Sequence, residues 1–294
     1  MLSILIVNWN TREALAACLR SIAAHPPSGP CETIVVDNAS SDGSADMVES
    51  SFPWARLIRS ERNLGYAAGN NAAFAAASGD RLLTLNPDTE FFDDSLDRAL
   101  RSLEDHPRHG AVGARLVGPG GETQRSVRGF PTVAGILGEL GGLWRLFPRS
   151  ALASYRLPLF DYDRLQDAPQ PMGTFLLFRR EALESVGDPR APFDEAFPIF
   201  FNEVDLLLRL WRAGWPCLYD PSVRVRHLGG ESTRQVRPQM IWESHRSLVR
   251  FLRKHRLVRG GPLAQGLLAA LLYAAAFVRA RGYHGGFGAD GHHL

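Results

Sequence analysis

Two short apolar runs, Ser3-Ile4-Leu5-Ile6-Val7 and Thr33-Ile34-Val35-Val36, bracket an amphipathic stretch from Arg12 to Ala24. β-branched side chains suit a pleated strand, and the 3.6-residue spacing between the runs suits a helix, so the order reads strand, helix, strand. A helical crossover joins parallel strands, so this unit predicts an α/β fold with a parallel sheet.

The alternation continues outward from that unit. A strand is expected near Arg56–Ile58, an alanine-rich helix from about Ala67 to Ala77, and a strand over Arg81–Leu85. Asn86-Pro87-Asp88 stops that strand, because proline has no N–H for the ladder. Helix Ser95–Glu104 and strand Ala111–Arg115 follow, whereas Val117 to Pro171 is loop-heavy and takes no assignment. Order returns with a strand over Gly173–Phe178 and a short helix Arg180–Val186. A helix opening at Asn202 carries Leu206, Leu207, Leu210 and Trp211 on one face and closes at Gly214. Two strands, Cys217–Tyr219 and Val223–Val225, lead to His227, and the tail reads as helices Gln239–His255 and Pro262–Arg281.

Composition sets the outer bounds. A chain of 294 residues with 45% hydrophobic and 22% charged side chains affords a core and excludes wholesale disorder. Its 33 basic and 31 acidic groups nearly cancel to +2, which argues against a nucleic-acid partner. Lys254 is the single lysine; arginine, whose planar fork binds oxyanions bidentately, supplies the other basic groups. Cys18, Cys31 and Cys217 lack the spacing of a disulfide framework or a thiolate zinc site, and the N-terminal run lacks a signal-peptide pattern, so a cytoplasmic location is expected.

Ligands of open parallel sheets collect beyond the carboxyl ends of strands, where Asn8, Asp37, Asn86 and Asp88 fall. Asp37 could accept the imide N–H of a uracil or thymine ring, or could close an Asx turn. Asn63-Leu64-Gly65-Tyr66, followed by Gly69-Asn70-Asn71, allows close backbone approach but equally punctuates a loop-to-helix junction. It is not the dinucleotide fingerprint, and a nicotinamide enzyme is disfavoured. Asn86-Pro87-Asp88 offers hard oxygen ligands for Mg²⁺ or Mn²⁺ bound to a diphosphate, or makes a simple turn. Asn202-Glu203-Val204-Asp205 has two readings as well. Asn202 is an apt N-cap with Asp205 completing a capping box, while a carboxylate fixed there would also serve as a general base.

Taken together and in this order, these motifs, with His227-Leu228-Gly229-Gly230, resemble family-2 glycosyltransferases of the GT-A fold, and most closely their rhamnosyltransferase-like branch, over about residues 3–255. The resemblance implies an α/β fold of GT-A type, Rossmann-like, with a mostly parallel central sheet, helices on both faces and a C-terminal helical extension. It also implies an inverting, metal-dependent transfer of a sugar, rhamnose being one option, from a dTDP or UDP type donor to a saccharide or lipid-linked saccharide acceptor. It assigns Asn8, Asp37, Asn63, Gly65, Asn70, Asn86 and Asp88 to the nucleotide sugar, and Asp88, His227 and Asn86 to a Mg²⁺ or Mn²⁺ ion. Glu203 becomes the catalytic base, with Asp205 as its rival. The sequence departs from the family at Asn86, where many relatives carry aspartate, and at Asn202-Glu203, where the common pattern is Glu-Asp. Those departures sustain a second reading, a nucleotide-sugar-binding or scaffold protein with impaired catalysis.

The expected organisation is a GT-A domain over 1–235, its nucleotide half 1–116 and its acceptor half 117–235, then a C-terminal helical extension over 236–294. Gly266–Val278 is almost wholly apolar between Arg256 and Arg259 on one side and Arg279 and Arg281 on the other. At about 16 residues from Pro262 it falls short of the ~20 that span a bilayer. Peripheral membrane contact at the inner face of the cell membrane through 262–281, and a helical homodimer interface, are the two expectations for it.

Overall fold

The computed structural model describes residues 1–229 and 237–284. Two compact units emerge, one made of Met1–Arg128, Phe160–Pro198 and Asn202–Ser232, the other of Gly129–Leu159, Ile199–Phe201 and Thr233–Leu294.

The first unit is built on the strand-helix-strand motif read from the sequence. β1 (Leu2–Asn8) and β2 (Cys31–Asp37) pair in parallel, α1 (Arg12–Ala24) connecting them, and the register sets Asn8 directly beside Asp37. All seven residues of β1 are buried, as a central strand covered on both faces requires. β3 (Arg56–Arg59) extends one side, and β4 (Arg81–Leu85) pairs in parallel on the other. The helices are α2 (Ser44–Ser51), α3 (Gly65–Ala76) and α4 (Ser95–Asp105). Leu15 and Leu19 of α1, Val48 of α2 and Leu96 and Leu103 of α4 share one core with Ile4, Ile6, Val35 and Leu83.

Past β4 the sheet turns mixed. Its order is β3-β2-β1-β4-β10-β6-β11-β5, with β5 (Thr89–Glu90), β6 (Ala111–Val117), β10 (Phe175–Arg179) and β11 (Cys217–His227). β10 runs antiparallel to both β4 and β6, so its N-terminal residues meet the C-terminal end of β4. This topology brings Gly173 and Thr174 to Asn86, whose N–H donates to Thr174 O at 3.0 Å.

Three sequence expectations change. The loop-heavy stretch holds β7 (Val127–Arg128), α5 (Val133–Leu140), β8 (Gln166–Asp167) and β9 (Gln170–Pro171), elements too short to leave a periodic signature. The two strands expected over Cys217–Tyr219 and Val223–Val225 are one strand, β11, whose ladder on β6 skips between Asp220 and Arg224. Turn-forming Asp220-Pro221-Ser222 imitates a strand break, but β11 absorbs it as an irregularity. Helix α2, hidden behind a polar loop, was not legible in the sequence. After α6 (Arg180–Glu184), α7 (Asn202–Arg212) closes the helices of the first unit.

In the second unit α5 begins at Thr132, whose hydroxyl accepts the Gly135 N–H, and α8 (Arg237–Lys254) packs against α9 (Gly261–His284). Phe201 stacks on Phe251 of α8 with ring centroids 5.5 Å apart.

Gly65 starts α3 with φ +82°, and a Cβ there would lie 2.8 Å from the carbonyl oxygen of Pro198. That same oxygen accepts the N–H groups of Tyr66 and Ala67. We expect Gly65→Ala to destabilise the protein by about 1–3 kcal/mol through left-handed strain and loss of this contact, read from chemical denaturation.

Candidate active site

The first cluster gathers where β1 and β2 end. Asn8, fully buried, donates through Nδ2 to Asp37 Oδ1 at 2.9 Å and to Ser40 Oγ at 3.1 Å, and its Oδ1 accepts the Thr11 hydroxyl at 2.6 Å. Asp37 Oδ2 accepts the Ser40 N–H at 3.0 Å, three residues on and so one beyond an Asx turn, and this bond ties down the loop that follows β2. An ionised carboxylate offers about four acceptor positions, and these two bonds leave capacity for an imide N–H. Asn8 thus orients Asp37.

The glycine-asparagine segment likewise serves the fold. Asn63 Oδ1 accepts the Gly65 N–H at 2.9 Å, and the buried Asn70 amide donates to Tyr66 O within α3 at 2.9 Å. Since the first N–H groups of α3 bind Pro198 O, they are engaged by protein. Tyr66 is the residue here that faces the second cluster. Its hydroxyl donates to Gly173 O at 3.3 Å, and burial together with the carboxylates of Glu203 and Asp88 pushes its pKa well above the usual phenol range.

Asp88 and His227 converge. Asp88 Oδ2 lies 3.6 Å from His227 Nε2, both side chains are buried, and Asp88 Oδ1 has no protein partner. Asn86 stands at the strand exit, its carbonyl accepting the Thr89 hydroxyl at 2.7 Å. Gln124, which the sequence reading did not single out, clamps the histidine: its Nε2 donates to His227 O at 3.0 Å and its Oε1 lies 2.8 Å from Nδ1. A backbone carbonyl can only accept, so the amide nitrogen must face it and the amide oxygen must face Nδ1. Nδ1 therefore carries the proton, and the Nε2 lone pair is turned toward Asp88. Burial holds His227 below its ordinary pKa, with the Asp88 charge opposing. A lone pair and a carboxylate facing each other favour a cation between them, and an imidazole plus a carboxylate fit Mn²⁺ or Mg²⁺ sharing a diphosphate. Among the described residues no group of three or more His, Cys, Asp or Glu forms a closed metal cage.

Glu203 and Asp205 part company. The Glu203 side chain lies along Gly173, where a Cβ would be 3.2 Å from Glu203 Cγ; any larger residue would displace it. Although part of the side chain meets solvent, its carboxyl group is deep, and burial pushes its pKa up to about 7 against stabilising N–H groups of its own residue and Val204. Asp205 is fully buried and accepts from Arg209 Nε at 2.9 Å; Arg209 also donates to Pro192 O at 2.5 Å. This ion pair fastens the segment before α7. The capping-box expectation for Asn202 is corrected: Phe201, with φ +66°, holds the non-helical position and Asn202 is already helical. Both polar atoms of the buried Asn202 amide and the hydroxyl of buried Thr174 lack protein partners. Buried orphans cost about 1–3 kcal/mol each, and these flank Glu203 in sequence and across Gly173.

A mostly parallel sheet with acidic groups beyond its strand ends is an α/β architecture of the GT-A type. The model for glycosyl transferase family 2 matches residues 3–187, and the chain belongs to that family. It is 30% identical over 240 residues to an N-acetylglucosaminyl-diphospho-decaprenol L-rhamnosyltransferase of Mycobacterium tuberculosis, covering 76% of this chain and 75% of that protein. An O-antigen biosynthesis protein of Myxococcus xanthus is 28% identical over 79% of this chain and 18% of its own length. Among solved structures, a mannosyltransferase from Pyrobaculum calidifontis in complex with GDP-Man and Mn²⁺ aligns with TM-score 0.57 at 18% identity, covering 94% of this chain and 69% of that one. TarS of S. aureus in complex with UDP aligns with TM-score 0.53 at 16% identity, over 88% and 72%. The chain lies in the rhamnosyltransferase-like branch of its family.

Three variants test this geometry. The folded pKa of Glu203, about 7, exceeds its unfolded value of 4.5, so the folded state binds the extra proton between them and stability falls as pH rises through 7. Glu203→Gln should therefore melt higher than wild type at pH 8 but not at pH 4, whereas Asp205→Ala should lose on the order of 3 kcal/mol by leaving Arg209 unpaired. Gln124→Leu should weaken Mn²⁺ binding by about 10–100-fold in calorimetry, while 15N NMR of the His227 ring shows loss of the fixed Nδ1–H tautomer.

Proposed function

We propose that this glycosyltransferase moves a sugar, rhamnose from a dTDP donor fitting best, to a hydroxyl of a lipid-linked saccharide with inversion at the anomeric carbon. The observation that carries the reading is the position of Glu203, held against Gly173 in the first turn of α7 with its carboxyl pushed by burial up to about 7 and its charge felt by Tyr66, which also feels Asp88. A base with that pKa is half ionised near neutrality, where proton transfer from a sugar hydroxyl is most effective. Glu203 takes the proton of the acceptor hydroxyl; the oxygen's electron pair forms the bond to the anomeric carbon, and the bond from that carbon to the diphosphate breaks. The nucleoside diphosphate leaves on the opposite face.

Asp37, oriented by Asn8, receives the imide edge of the base. Asp88 and His227 would hold Mg²⁺ or Mn²⁺, which would supply positive charge opposite the leaving diphosphate; Asn86, a neutral amide where many relatives have a carboxylate, would contribute less. Thr174 and Asn202, unpartnered beside Glu203, supply neutral hydrogen bonds to the sugars. Support for donor and acceptor classes comes from relatives: the Mycobacterium tuberculosis protein is named for a diphospho-decaprenol acceptor and rhamnose, and the mannosyltransferase structure holds GDP-Man and Mn²⁺. The GT-A domain spans 1–235 in this reading, works at the cytoplasmic side, and carries 236–294 as an extension. The scaffold reading has less support, since a protein freed from catalysis has no need of a base placed in so costly a site.

The purified chain should release dTDP from dTDP-rhamnose in the presence of Mn²⁺ and a diphospholipid-linked saccharide. kcat/KM should rise with pH to a plateau above an apparent pKa near 7, as loss of the Glu203 proton switches the base on. Glu203→Gln should lower kcat by at least about 100-fold with donor affinity retained. Donor binding without turnover in wild type, with good acceptors, would establish the scaffold instead.

A further inference from the structure

The near-neutral total charge conceals a strong segregation. The second unit, Gly129–Leu159, Ile199–Phe201 and Thr233–Leu294, holds 13 of the 33 basic residues but only 3 of the 31 acidic ones. Its formal charge is +10, and the remainder of the chain carries −8. Arg246, Arg250, Arg253 and Lys254 are exposed along α8, spaced to recur on one helix face, and Arg256 and Arg259 are exposed in the turn that follows.

α9 adds an apolar face to this charge. Leu268, Ala269, Leu272 and Ala276 are buried, and helix α8 is the neighbour they pack against. On the opposite face Leu263 is 76% exposed, Leu267 66%, Leu271 46%, Phe277 46% and Val278 67%. Leu263, Leu267, Leu271, exposed Ala274 and Val278 recur every three or four residues, with Phe277 beside them, so they form one continuous outward stripe, closed by exposed Arg281. The same unit exposes Leu146 and Phe147 between Arg145 and Arg149. An apolar stripe of this length left to water on a +10 unit requires a cover.

We propose that the second unit docks on an anionic lipid surface, α9 lying in the plane of the interface with its Leu263–Val278 stripe among the acyl chains and the arginines at the phosphates. Two observations select this cover. A second copy of the chain would set one +10 surface against another, whereas an anionic bilayer compensates that charge. A transmembrane placement would also carry α8 into the hydrocarbon, because α8 packs on the inner face of α9 and bears the exposed arginines. α9 has the length and hydropathy of a span, at 1.6 over Gly261–Arg281, but only its outer stripe is available to lipid. The inference does not depend on the reading of the catalytic site.

The test uses the full chain and vesicles of phosphatidylglycerol and phosphatidylcholine in a 30:70 ratio. Wild type should cosediment with them, at least about tenfold more tightly than with pure phosphatidylcholine, and lose affinity in 0.5 M NaCl. Leu267→Glu with Leu271→Glu, and separately Arg253→Glu with Lys254→Glu, should each cut binding at least about tenfold with circular dichroism, melting temperature and turnover of a water-soluble acceptor unchanged. These side chains are exposed, so both variants should fold. A Leu271→Trp variant should be quenched more by bromines near the headgroups than by bromines deep in the chains. Failure of wild type to bind anionic vesicles, or deep quenching, overturns the proposal. Concentration-dependent dimers that vanish in the leucine variant while vesicle binding persists overturn it too, and assign the stripe to a second copy.

Discussion

A sheet buried on both faces must satisfy every polar group at its strand ends without water, and that constraint governs the first unit. Asn8 meets it fully: its amide bonds Asp37, Ser40 and Thr11 and thereby joins the loops after β1 and β2. The Pro198 carbonyl meets it at the start of α3, and Asn86 N–H meets it at the end of β4. Asp88 Oδ1, Asn38 Oδ1, Thr174 Oγ1 and the Asn202 amide are left without a protein partner, and the proposed function assigns the Asp88, Thr174 and Asn202 groups to its ligands.

The antiparallel strand β10 is the second organiser. Running against β4, it delivers Gly173 to the same end of the sheet as Asp88. Because Gly173 has no side chain, the Glu203 methylenes lie against backbone, and Tyr66 reaches across to the Gly173 carbonyl. The longer reach of glutamate relative to aspartate at this position is thus accommodated by a close approach that any side chain at 173 would disturb. Two residues onward and on another side of the helix, Asp205 answers to a different demand, the fastening of Arg209, and so two neighbouring acids have separate duties.

The charge balance illustrates how a whole-chain sum can hide structure. Formal +2 excluded a broad polyanion surface on the sequence, yet it is the resultant of −8 and +10 on two units whose chain segments interleave. Because residues 129–159 and 233–294 belong together, no window along the chain displays the contrast in full.

Local chemistry determined much of this protein in advance. Arg12–Ala24 and Arg81–Leu85 were legible to the residue, since apolar period and a terminating proline act within a few positions. The family followed from motif order, and Asp37, Asp88, Glu203 and His227 were legible as ionisable groups beside strand or helix ends. What the tertiary structure alone decided was which of those groups are engaged by protein and which are left facing one another. Gln124 gives no sign of its role until β6 and β11 bring it to His227, Asn202 reads as a cap until Phe201 takes that position, and Glu203 separates from Asp205 only when Arg209 folds back. Burial and partner choice depend on contacts between residues far apart in sequence, and a pattern read along the chain carries no distance across it.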